Sequence, residues 1–205
     1  MPRKKNTCTI AELYQKRYET IKWRDERFRR LMGEPETSGC WIIWGKSFNG
    51  KSSFAIKLMG ELADCGMKVL YMSLEEGLTM SLTKKLSFLA GHKNIRLMDR
   101  GSREDLEREL KKQRSANCVI VDSLQYLDMN KAGYNKLKEK FPNKLFIWIS
   151  HATDKNQPKG LGDYVRYDAS VKIIVDGFVA SANSRYGGGE RFVVWEEKAR
   201  QMMRV

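Results

Sequence analysis

The chain has 205 residues, enough for one α/β domain with a sizeable buried core. Its 38 Lys and Arg outnumber its 25 Asp and Glu, a formal charge of +13, which favours a polyanionic partner such as DNA, RNA or an anionic membrane surface. No apolar run approaches the length of a membrane-spanning helix, no apolar signal segment follows the basic N-terminus, and the four cysteines (Cys8, Cys40, Cys65, Cys118) lack C-x-x-C spacing, so a reducing cytoplasm is the expected compartment.

Residues 1–37 read as a basic N-terminal arm, with 38–205 as the domain proper. In the arm, Thr9 followed three residues later by Glu12 has capping-box spacing and predicts a helix from Ile10 to about Thr20. Trp23 and Phe28 stand among cations, with Arg29 and Arg30 next to Phe28, and could stack on nucleic-acid bases or pack on a neighbouring subunit. Pro35 and Gly39 break the chain before Cys40-Trp41-Ile42-Ile43-Trp44, an apolar run that suits a buried strand. An amphipathic helix is expected from about 53 to 64.

Between that strand and helix lies Gly45-Lys46-Ser47-Phe48-Asn49-Gly50-Lys51-Ser52, which reads G-x-x-x-x-G-K-S, the phosphate-binding loop of nucleotide hydrolases. Two glycines let backbone N–H groups converge on phosphate oxygens, and the helix N-terminus adds a positive dipole end. Lys51 is expected to reach the β- and γ-phosphates of ATP, the Ser52 hydroxyl to sit on Mg²⁺, and the loop with the adjoining Ser53 to supply the remaining nucleotide contacts.

Further along, 68–73 and 95–98 read as strands, 79–90 as a helix ended by Gly91, and Ser102 with Asp105 caps a charged helix to about Arg114. Cys118-Val119-Ile120-Val121 and Leu145-Phe146-Ile147-Trp148-Ile149 are continuous apolar strands, with a short basic helix over 134–140 between them. Apolar strands alternating with helices predict a mostly parallel sheet flanked by helices. After Gly160, three strands around 171–175, 178–180 and 191–195 are expected to form an antiparallel C-terminal edge, and 152–166, with Pro158, Gly160 and Gly162, reads as a mobile segment.

Ligands bind beyond the carboxyl ends of strands in such sheets. Asp122, closing an apolar strand, suits Mg²⁺ or a helix cap. Glu75, after the 68–73 strand, suits a general base for the attacking water, with Glu76 as the fallback. His151 is placed to report hydrolysis to the segment that follows it, or to serve as an ordinary loop histidine.

These motifs together, Gly45 to Ser52, Tyr71-Met72-Ser73-Leu74-Glu75, Cys118-Val119-Ile120-Val121-Asp122-Ser123-Leu124 and Trp148-Ile149-Ser150-His151, resemble the RecA-like ATPase core over roughly residues 38–180, in the branch of RadA-type recombinases and DnaB-type helicases. The chain is also similar to the short core-only ATP-binding proteins of phages and mobile elements. The resemblance implies an Mg²⁺-dependent ATP hydrolase acting on single-stranded DNA in recombination or replication, with Lys51 and Ser52 on phosphate and metal, Asp122 on the metal and Glu75 as base. It further implies a homo-oligomeric ring or filament in which Arg185, ahead of Gly187-Gly188-Gly189, acts on a neighbour's nucleotide. His151 stands where the family usually has Gln, and the expected companion lysine of Arg185 is missing. The implied DNA-facing loops follow Asp122 and His151 and carry Lys131, Lys136, Lys138 and Lys140, then Lys155, Lys159 and Arg166, with Tyr126, Tyr134, Tyr164 and Tyr167 nearby. A nucleotide-gated assembly or regulatory protein with weak hydrolysis is the alternative. A small-molecule phosphotransferase is disfavoured by Glu75 and by the strand that ends in Asp122-Ser123.

Overall fold

The computed structural model describes residues 7–153 and 156–202; residues 1–6 of the basic arm and Lys155 lie outside the described residues. Eight strands form one sheet in the order β3-β2-β4-β5-β1-β6-β7-β8. The strands are β1 (Gly39–Gly45), β2 (Val69–Ser73), β3 (Ile95–Asp99), β4 (Cys118–Asp122), β5 (Leu145–His151), β6 (Val171–Asp176), β7 (Val179–Ser184) and β8 (Phe192–Val193). Six of them, β1 to β6, are mutually parallel, and antiparallel pairing is confined to the β6-β7-β8 edge.

The central strands are continuous apolar runs because both faces of the sheet are covered. Side chains alternate between the faces along each strand. Trp41 and Ile43 of β1, Ile120 of β4 and Ile147 of β5 join one core, under α3 (Lys51–Asp64) and α2 (Glu26–Met32). Ile42, Val119 and Trp148 join the other, under α5 (Arg103–Leu110), α6 (Lys131–Lys140) and α7 (Leu161–Asp168). Each fully buried aliphatic side chain contributes about 1.5–3 kcal/mol.

The expected boundaries shift where local signals were misleading. α1 keeps its Thr9–Glu12 capping box but ends at Tyr14 instead of near Thr20. The helix expected over 79–90 is α4 (Met80–Lys85) followed by a 3₁₀ turn, Ser87–Leu89. The three late strands form the expected antiparallel edge, β6-β7-β8, and β6 joins that edge to the rest of the sheet by pairing parallel with β1. That pairing requires a crossover, and α7 supplies it within the segment expected to be mobile. A last helix, α8 (Glu196–Met202), follows β8.

Residues 20–32 lie against the sheet. Phe28 is buried and stacks with Trp23 at 5.6 Å, and it also meets Phe54 and Phe192 of the same chain. Trp23 Nε1 donates to the Gly33 carbonyl at 2.7 Å. The two aromatics are therefore core residues of their own chain and are not free to stack on bases. Among the described residues, no helix is long and apolar enough to cross a membrane.

Candidate nucleotide site

The site is built where four parallel strands end. The G-x-x-x-x-G-K-S loop leaves β1 and enters α3 through Gly50, whose φ of 96° lies in the region that glycine adopts without strain. Gly45 is required for a different reason: a Cβ there would stand 2.0 Å from the Val175 carbonyl oxygen of β6. Asn49 fastens the loop to the β6–β7 turn. Its Oδ1 accepts from Gly177 N–H at 2.7 Å, its carbonyl accepts from Phe178 N–H at 3.1 Å, and its Nδ2 donates to Ser47 O at 3.1 Å. Phe48, at the loop apex with φ 63°, is 94 % exposed.

Lys51 is buried, and its ammonium donates to the Lys46 carbonyl at 2.9 Å. Burial pulls its pKa below the usual lysine value, while the Asp122 and Glu75 carboxylates push it back up. Asp122, at the end of β4, is buried and accepts hydrogen bonds from the hydroxyls of Tyr71 and Ser52. Burial raises its carboxyl above the usual range, against the lowering effect of those hydroxyls and of Lys51.

The Asp122 carbonyl accepts from Leu74 N–H at 2.7 Å and Glu75 N–H at 3.1 Å, which ties the exit of β2 to the end of β4. The two candidate bases then differ in their partners. Glu76 is held by Lys85 at 2.7 Å, whereas Glu75 Oε2 lies 3.1 Å from His151 Nε2. His151 pairs in register with Gly45, so the end of β5 lies beside the start of the phosphate loop.

Lys51, Ser52, Ser53, Glu75 and Asp122 line one cavity of about 530 Å³, together with Ser47, Phe48 and Gly50. Lys46 and Asn49 hold its loop from behind through the bonds above. Arg185 is not among them. It follows β7 at the opposite end of the sheet, with its N–H on the Ser170 carbonyl at 3.0 Å.

The donor set fits a magnesium–triphosphate. One buried ammonium and a hydroxyl beside a carboxylate are hard, charge-complementary partners.

Four contributors escaped the sequence reading. Tyr71 reads simply as a strand aromatic. Phe178 and Lys198 complete the cavity wall from the β6–β7 turn and α8. Gln125 bridges the two loops: its Nε2 donates to Ser150 Oγ at 2.7 Å and its Oε1 accepts from His151 N–H at 3.2 Å. The Asp176-Gly177 dipeptide signals a hairpin turn, but nothing in the letters attaches that turn to residues 47–50.

The cations expected to face DNA are partly occupied within the chain. Lys138 pairs with Asp168, Lys140 with Glu107 and Arg166 with Asp163, while Lys131 lies 5.1 Å over the Tyr164 ring. Lys136 and Lys159 are exposed. Tyr134 is fully buried, in contact with Cys40 and Asp168, and so is a core residue; Tyr126 and Tyr167 are exposed.

The fold has counterparts among solved structures. Flagellar accessory protein FlaH from Methanocaldococcus jannaschii superposes with a TM-score of 0.59 at 18 % identity, over 86 % of this chain and 94 % of that one. Another solved ATPase domain gives 0.58 at 15 %, over 92 % and 93 %. A KaiC-like protein from Pyrococcus horikoshii gives 0.60 at 18 %, over 77 % and 81 %. In sequence, the chain is 28 % identical over 106 residues to the DNA repair and recombination protein RadB of Methanosphaera stadtmanae.

The chain has the RecA-like P-loop fold.

The RadB match spans 46 % of this chain and 46 % of that relative, somewhat under half of each. No protein-family model matches the sequence.

Proposed function

We propose that the chain is an Mg²⁺-dependent ATP hydrolase of RecA-like type that acts on single-stranded DNA. The observation that carries the hydrolytic part is the convergence of Lys51, Ser52, Asp122 and Glu75 on one cavity at the strand ends. Ser52 and Asp122 would hold Mg²⁺, which would supply charge neutralisation to the phosphates. Lys51 stabilises charge developing on the γ-phosphoryl oxygens, an electrostatic task that a pre-placed buried ammonium performs without reorganisation. Glu75 accepts the proton of the attacking water, and His151 orients the Glu75 carboxylate. Glu76 is already committed to Lys85, which favours Glu75 in this role.

The DNA part rests on the +13 charge, on exposed Tyr126 and Lys159 in the segments that follow β4 and β5, with exposed Lys136 on α6 and Tyr167 near the end of α7, and on likeness to a protein named for DNA repair and recombination. Residues 38–205 are the proposed ATPase domain and 1–37 the basic arm, whose residues 20–32 pack into that domain's core. A homo-oligomer is the proposed working form: Arg185 lies at the opposite end of the sheet from its own chain's cavity, so the role on a nucleotide that the resemblance gives it would be played on a neighbour's.

Phosphate release, measured with and without a single-stranded oligonucleotide over a range of protein concentrations, tests the reading. Stimulation by DNA together with a rise in specific activity with concentration is expected. Binding to the oligonucleotide should weaken steeply with salt, as counterion release requires. A salt-insensitive interaction, or none, favours the alternative, a nucleotide-gated regulatory protein.

A further inference from the structure

The phosphate-loop cavity has a second end that the hydrolytic residues do not use. Phe178 follows Gly177 in the β6–β7 turn and stands over Gly50, where an added Cβ would meet its ring at 2.7 Å. Its position is fixed by the two Asn49 bonds to this turn. Trp195 meets the Phe178 ring edge-on, with centroids 6.4 Å apart and planes at 82°. The Lys198 ammonium, on α8, lies 5.0 Å from the Phe178 centroid and 4.3 Å from that of Trp195.

Phe178 and Lys198 line the same cavity as Lys51 and Ser52. Ser53 and Trp195 both line a further cavity of about 660 Å³ beside it. An edge-on, partly exposed aromatic pair with a cation beside both rings, adjoining a phosphate cradle, offers a nucleobase a single ring face to stack on and a cation for its π-system.

We propose that Phe178, Trp195 and Lys198 form the base-binding end of this site, taking the purine of a nucleoside triphosphate by stacking and cation–π contact while the loop holds its phosphates. The inference rests on the nucleotide reading above and adds to it the groups that recognise the base. Base–aromatic stacking is worth about 1–3 kcal/mol per base, so losing one layer should weaken binding roughly 5- to 150-fold.

The test is calorimetric titration of wild type, Phe178→Ala and Lys198→Ala with MgATP and, separately, with magnesium inorganic triphosphate. Lys198 is a half-buried helix residue whose loss leaves the loop contacts in place, so it serves even if Phe178→Ala disturbs Gly50. The expected result is weaker MgATP binding in both variants, by at least about 5-fold for Phe178→Ala and at least about 2-fold for Lys198→Ala, with triphosphate binding unchanged. Equal loss for both ligands in both variants, no loss for either, or wild-type affinities that are the same for ATP and triphosphate would each overturn the proposal. A wild type that binds neither ligand would overturn the phosphate-loop reading as well.

Discussion

Lys51→Ala lowers the rate of ATP hydrolysis by at least about 10²-fold, the usual cost of removing one pre-placed stabiliser of developing negative charge. The fold survives this change. The Lys51 ammonium is buried and its pKa is pulled down by that burial, so its removal relieves a desolvation cost that offsets the charge lost beside Asp122 and Glu75. Its one hydrogen bond to the Lys46 carbonyl is lost, but that carbonyl belongs to an exposed loop residue that water can reach. Thermal unfolding should therefore occur at or near the wild-type temperature while turnover disappears. A variant that hydrolyses ATP at the wild-type rate would remove the loop from the mechanism.

Glu75→Gln separates binding from chemistry. The amide keeps the size of the carboxylate but cannot accept the proton of water, and a general base contributes roughly 10²–10⁴-fold. Nucleotide affinity should be preserved, because Glu75 carries negative charge and is not a phosphate ligand. Single-turnover hydrolysis should fall by at least about 10²-fold with the dissociation constant for MgATP little changed. Wild-type speed in this variant would move the base elsewhere, and Glu76 would then have to leave Lys85 in order to act.

The parts of the molecule that were readable in the sequence are those in which one residue pattern has one physical solution. The runs at β1, β4 and β5 are apolar at every position because two cores flank the sheet, and a run of that kind cannot be a surface element. Gly45 to Ser52 was readable because each glycine answers a steric demand: one faces the Val175 carbonyl and the other takes a positive φ.

What escaped was tertiary. Pro158, Gly160 and Gly162 are loop signals, yet the chain turns into α7 at Leu161, and Gly162 is needed there because a Cβ would meet Ser150 Oγ at 2.3 Å. With that helix hidden, the parallel direction of β6 was hidden too. Trp23 and Phe28, set among arginines, look like a nucleic-acid surface, but their partners Trp41, Phe54 and Phe192 come from three distant segments. The contact between Glu75 and His151 joins residues 76 positions apart, at the ends of two strands that are not neighbours in the sheet. No local pattern encodes such a pairing.

The claim on which all of this depends is that a single magnesium-bound triphosphate is gripped by side chains arriving from β1, β2 and β4. A crystal structure of the slow Glu75→Gln variant with MgATP tests it most directly. The expected density shows the terminal phosphate beside the Lys51 ammonium, the metal on the Ser52 and Asp122 side, and residue 75 facing the position of the attacking water. Nucleotide seated elsewhere on the surface, or phosphates bound with the amides of residues 46–51 turned away, would contradict the account.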